Sequence, residues 1–168
     1  MRGGSRARNS GIVMGNDWKV RRAPITDAES IAAIFVSSRR AAMPYLPILY
    51  TNSEVLHWIK DVVLRNSRVI LAVSDDHRAG GFASVQDGAL EHLYVSPQLQ
   101  GQGLGTLLLA AARKESPQRL RLQVFQRNGP ARHFYERRGF GLVELRDGSQ
   151  NEEGEPDAVY EWVRPRPG

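Results

Sequence analysis

Cysteine is absent from the 168 residues. That excludes disulfides, thiolate metal sites, iron–sulfur clusters and a cysteine-linked covalent intermediate together. Long apolar runs are missing as well. The longest, Leu107 to Ala112, falls far short of the roughly 18 residues that cross a bilayer. Arg2, Arg6 and Arg8 are followed only by Ile12, Val13 and Met14, too few apolar residues for a secretory leader. The reading is of a soluble, cytoplasmic protein that spans no membrane. Aromatics are modest at 8%, but 41% of the residues are hydrophobic, enough to bury a real core in one domain of ordinary size.

Charge is unevenly spread. The net charge is +5, and most of the chain is basic. One late stretch, 144–161, sets Arg146 against Glu144, Asp147, Glu152, Glu153, Glu155, Asp157 and Glu161. A basic body suits a polyphosphate ligand and an acidic loop attracts a cation. The Arg-rich start is the only feature that points to nucleic acid, and charge alone does not support that reading, so no nucleic-acid partner is expected.

Residues 1–17 lack periodicity and read as a flexible basic tail, with a single domain over 18–165. Trp18 to Ala23 alternates as a first strand. Thr26 with Glu29, and Thr51 with Glu54, have the spacing of helix capping boxes, and apolar residues recur at helical intervals after each. Pro44 and Pro47 end the first helix and leave an apolar connector, residues 43–50. Strands follow near 68–74, 79–86 and 88–95, with a hairpin signal at Asp87-Gly88. A helix after Gly105, a strand at Leu120 to Val124, a helix near Pro130 closed by Gly139, and strands near 140–146 and 157–163 complete an α/β (α+β) domain with a mixed sheet.

The chemistry concentrates after Val95, where Gln100-Gly101-Gln102-Gly103-Leu104-Gly105-Thr106 joins a strand to a helix. Such a turn leaves backbone N–H groups unpaired at a positive helix end, and glycines allow an anion to come close. A dinucleotide fingerprint fails, because its third glycine falls on Thr106 or Leu108. A nucleoside-triphosphate loop fails too, since no Gly-Lys pair occurs.

What fits is Q/R-x-x-G-x-G/A, met by Gln100, Gly103 and Gly105, followed by N-x-x-A-x-x-x-Y-x-x-x-G-F, met in full by Asn128, Ala131, Tyr135, Gly139 and Phe140. The sequence therefore resembles the GNAT superfamily of N-acetyltransferases. The resemblance implies a single domain whose mixed, mostly antiparallel sheet is splayed at an acetyl-CoA site and flanked by helices. It implies acetyl-CoA as co-substrate, no metal, and frequent homodimers. It places the backbone of Leu93 and Val95 on the pantetheine arm, the amides from Gln100 to Thr106 on the pyrophosphate, Asn128 on the pantetheine or its phosphate end, and Tyr135 beside the thioester sulfur.

Aminolysis of a thioester needs a neutral amine, a polarised carbonyl and a proton for the departing thiolate. The Val95 amide is the expected carbonyl donor and Tyr135 the expected acid. Without cysteine, direct attack in a ternary complex is the simplest scheme. For the base, Glu91, His92 and a water route all stand. Period-2 alternation puts Glu91 on a face with Leu93 and Val95, where a carboxylate is unusual, and this favours Glu91. On the acceptor side the connector supplies Tyr45 and Leu46, with Trp58 and the acidic loop nearby, a setting for an ammonium-bearing small molecule or peptide. The alternative is a non-catalytic acyl-CoA sensor on the same scaffold, in which Tyr135 has no task.

Overall fold

The computed structural model describes residues 17–168; all but the last residue of the expected tail lies outside them. A seven-stranded sheet runs in the order β1-β2-β3-β4-β5-β7-β6, with β1 Lys19–Arg22, β2 Arg68–Val73, β3 Ala79–Gln86, β4 Ala89–Val95, β5 Arg119–Phe125, β6 Gly141–Arg146 and β7 Asp157–Val163. Every pairing is antiparallel except β4 with β5. One core lies under α1 (Ala28–Ala42) and α2 (Asn52–Trp58), centred on Ile31, Ile59, Leu71 and Phe82. After α2 a wide turn, Ile59–Val63, leads into the short α3 (Leu64–Asn66). The other core lies under α4 (Leu104–Glu115) and α5 (Gly129–Glu136), centred on Leu108, Leu120 and Tyr160.

Local rules account for most boundaries. Thr51 and Glu54 form their capping box: Glu54 N–H donates to Thr51 Oγ1 at 3.1 Å, and Thr51 N–H to Glu54 Oε1 at 3.4 Å. Asp87 and Gly88 both take positive φ, 49° and 76°, which fits the tight turn of the β3–β4 hairpin. The expected box at Thr26 does not form. Pro24 opens a 3-10 turn, Ile25–Asp27, so the helix begins one residue later than that box requires. Its first residue follows Asp27, whose carboxylate is held by Arg21 at 2.7 Å instead of capping the helix.

Two departures from regular pairing build the site. Strands β4 and β5 share only the pairs Ala89–Arg121 and Leu90–Leu122, then diverge. In β4, Val85 faces Leu90 while Ser84 faces His92, so Glu91 is an extra, bulged residue. Leu90, Leu93 and Val95 therefore meet the same core, which strict alternation forbids, while Tyr94 meets the opposite one.

Candidate active site

The splay exposes one edge of β4. The Ser96 N–H donates to Gly80 C=O at 2.9 Å, which fixes the phase of the β3–β4 ladder. By alternation Tyr94 and His92 exchange bonds with β3, while Leu93 and Val95 turn their N–H and C=O toward the gap. The Val95 carbonyl is already engaged: Ser38 Oγ donates to it at 2.9 Å and Gln100 Nε2 reaches it at 3.5 Å. The amides of Leu93 and Val95 are left for a ligand. Ser38, buried on α1, carried no sequence signal.

At the open end of β4, the turn before α4 needs its glycines. Gly101 and Gly103 have φ of 79° and 85°. The first backbone bond after this turn is Leu107 N–H to Gly103 C=O at 3.0 Å. Amides 100–106 thus have no backbone partner among the described residues and sit at the positive end of a 12-residue helix. Leu104 contributes its amide only, because its side chain is 2% exposed. Arg138 adds charge that the sequence did not flag. It stacks 3.8 Å over Phe134 and donates to Thr106 Oγ1 at 2.7 Å. Gly103→Ala is expected to weaken acetyl-CoA binding by about tenfold. A Cβ meets nothing within 4 Å there, so the penalty is the left-handed backbone alone, roughly 1–2 kcal/mol. Calorimetric titration checks it.

Helix α5 presents Tyr135. Asn128 caps the helix, its Oδ1 accepting from Ala131 N–H at 3.3 Å, which leaves its NH2 free for a ligand. The helix ends as the glycine predicts: Gly139, at φ 88°, closes the turn with Phe140 N–H to Tyr135 C=O at 3.1 Å and Gly139 N–H to Glu136 C=O at 3.2 Å. Phe140 then packs edge-on against the Tyr135 ring with centroids 5.4 Å apart. The Gly-Phe pair of the motif is thus the device that fixes Tyr135. Its ring is 8% exposed, and its hydroxyl donates to no described residue. Burial, with the nearby Tyr94, pushes the phenol well above its ordinary value.

Tyr135 and Glu91 line one cleft of about 230 Å³ between the parting strands, with Asn128, Asn151 and Asp157. Glu91 stands at its rim. Loss of hydration, and to a lesser degree the charge of Asp87, raises its carboxyl above the usual range, which makes it a better base. His92 is a poor one. Caged by Phe35, Trp58, Phe82 and Tyr94, with Nδ1 2.7 Å from Ser84 Oγ, it is pushed down to about 4 by burial and by Arg39.

A larger chamber of about 860 Å³ adjoins the cleft on the α1–α2 side, sharing Arg39, Met43, His92 and Glu153 with it. Leu46, Ile48, Leu49, Tyr50 and Trp58 give it apolar walls, as the connector suggested. Tyr45, expected beside Leu46 on the acceptor side, is placed apart from it. It lies outside both cavities, under Arg127 at 4.0 Å, its hydroxyl sealed without a partner. The acidic loop is also less available than its charge implied. Glu153 pairs with Arg39 at 2.9 Å, Glu155 with Arg127, and Glu152 accepts from Tyr50 at 2.6 Å. No group of three or more metal-binding side chains occurs among the described residues, and no helix there is long and apolar enough to cross a membrane.

Comparison with known proteins agrees with this geometry. The chain is 26% identical over 144 residues to the peptidyl-lysine N-acetyltransferase YiaC of Escherichia coli (strain K12), covering 85% of this chain and 95% of that protein. The solution structure of apo YjaB from Escherichia coli matches with a TM-score of 0.74 at 22% identity, over 89% of this chain and 99% of that one. The structure of yncA from Salmonella typhimurium, solved with acetyl-CoA, matches with a TM-score of 0.68 at 17% identity, over 90% and 96%. The sequence model of the acetyltransferase (GNAT) family matches residues 35–140, most of the chain and both glycine-bearing signatures within it. The chain belongs to the GNAT family of acetyltransferases, enzymes that move an acetyl group from acetyl-CoA to an amine.

Proposed function

We propose that this chain acetylates a lysine side chain of a peptide, the amine attacking acetyl-CoA directly in a ternary complex. One observation carries the reading: a narrow cleft crosses the sheet and widens, on the α1–α2 side, into an apolar chamber. The cleft admits a slender unbranched amine, and the chamber has room for the residues that flank it. The similarity to the peptidyl-lysine acetyltransferase YiaC supports the same acceptor.

The residues fit acetyl-CoA, which supplies the acetyl thioester. The unpaired amides from Gln100 to Thr106 suit its pyrophosphate, and the free amides of Leu93 and Val95 suit its pantetheine arm. The Val95 N–H, turned toward the gap between β4 and β5, is a preorganised donor for a carbonyl oxygen, and such a donor is worth ~10²–10³ in rate. Tyr135 holds its proton over the cleft for a departing sulfur. Glu91 accepts the proton that the ammonium must shed, and His92, held neutral, adds no charge of its own to the passage.

A second reading, a compact small-molecule amine, draws on the chamber's volume, which lies in the range of ordinary ligand pockets. The streptothricin acetyltransferase of Streptomyces lavendulae, 34% identical over 90 residues (48% of each chain), is similar in part. Thiol release from acetyl-CoA, measured with a lysine peptide, a peptide free only at its α-amine, spermidine and an aminoglycoside, separates the two. Release with the lysine peptide alone is expected. Release with the aminoglycoside alone transfers the assignment to small amines. Silence with all four, acetyl-CoA still binding by calorimetry, supports the sensor instead.

A further inference from the structure

The acids of the late stretch have partners, with one exception. Glu144 pairs with Arg146 at 3.2 Å and Glu161 with Arg121 at 3.4 Å. Asp147 accepts from Ser149 N–H at 2.9 Å, and Glu152, Glu153 and Glu155 are held by Tyr50, Arg39 and Arg127. Asp157 is the exception. It is 4% exposed, and its Oδ1 is sealed without any hydrogen-bond partner among the described residues. Two donors that neighbour it in the sheet are turned elsewhere. Arg146, its partner in the β6–β7 register, bonds Glu144, and Gln126 Nε2 donates to the Asp157 backbone carbonyl.

A buried carboxylate without a partner is costly, so its place in the fold matters. Asp157 begins β7, one residue before Ala158, which packs with Tyr160 in the core under α5. Alternation therefore turns Asp157 to the opposite face, the one from which Arg39, Met43 and Glu153 border the cleft. Tyr135 and Asn128 stand on the α5 side of the same cleft. We propose that Asp157 is the counter-ion that seats the acceptor's ammonium in the cleft. It receives the amine as R–NH3+ and holds it by charge and hydrogen bond. One proton then passes to Glu91 and solvent, which leaves R–NH2 with its lone pair free. This assignment rests on the reading of the cleft as an acetyl-transfer site and adds the group that selects a cationic acceptor.

The test separates charge recognition from folding and from turnover. Two peptides are used, one with a lysine and one with an aminooxy side chain of similar length that is uncharged at neutral pH. Each is titrated calorimetrically into wild type and Asp157→Asn saturated with CoA. Wild type is expected to bind the ammonium peptide at least tenfold more tightly than the aminooxy peptide. Asp157→Asn is expected to abolish that preference, with acetyl-CoA affinity within twofold and a melting temperature no lower, since the amide ends the cost of an unpaired buried charge. Asp157→Ser gives the same loss if the asparagine variant does not fold. No preference in wild type, or a preference that survives both substitutions, overturns the assignment. Failure of wild type to release thiol with the lysine peptide counts instead against the acceptor proposed above, while the binding preference is still read.

Discussion

Tyr135→Phe is expected to lower turnover by ~10²–10⁴ while acetyl-CoA affinity stays within about twofold. A thiol is a fair leaving group, with an ordinary pKa of about 8.5, but it leaves faster when a proton meets it. The Tyr135 phenol, raised by burial, stays protonated throughout the neutral range and so is always able to donate. The variant is clean because the ring does the packing. Phe134 and Phe140 meet it edge-on with centroids at 5.2 and 5.4 Å, and phenylalanine keeps both contacts. The hydroxyl that is removed bonds none of the described residues, so stability should barely change. Single-turnover kinetics decide the matter. Undiminished acetyl transfer in a step shown to be chemical removes Tyr135 from the reaction.

The same residue shows how far sequence reasoning reached. Asn128, Pro130 and Gly139 punctuate a helix by local rules, and those rules specify where Tyr135 sits. The turn at Gly101 and Gly103 was equally legible, because positive φ and unpaired amides follow from residue type. The bulge at Glu91 was not. It arises from the register of β3 against β4, a relation between strands that neither strand displays alone. Alternation put Glu91 on one face with Leu93 and Val95; the bulge breaks that period, and Glu91 lines the cleft as an extra residue of the strand. The place of Tyr45 was hidden for a related cause: its ring lies under Arg127, more than 80 residues away in sequence, and no local pattern announces that contact. Ser38, Arg39 and Arg138 were missed in the same way. Charge misled in the acidic loop, where composition counts carboxylates but not their partners. Once the partners are known, Asp157 stands apart.

His92 carries the second large effect, on stability against acid. In the unfolded chain an imidazole takes a proton near pH 6.5; in the fold it does so only near 4, disfavoured first by burial and then by the charge of Arg39. Between those values the unfolded state binds more protons, so the native state loses stability as pH falls from 6.5 toward 4, and the loss levels off below. The span corresponds to about 3 kcal/mol between pH 7 and pH 4. Carboxylates add their own acid sensitivity, but to wild type and variant alike. His92→Gln keeps a polar partner for Ser84 and cannot titrate, so urea unfolding across this range should show wild type losing about 3 kcal/mol more than the variant. Equal losses in the two proteins mean that the imidazole protonates as freely in the fold as outside it. His92 then regains the basicity that an amine's proton requires, and Glu91 loses its advantage at the cleft. A steeper loss in wild type leaves the imidazole as a neutral wall between cleft and chamber, past which a cation reaches the carboxylates beyond.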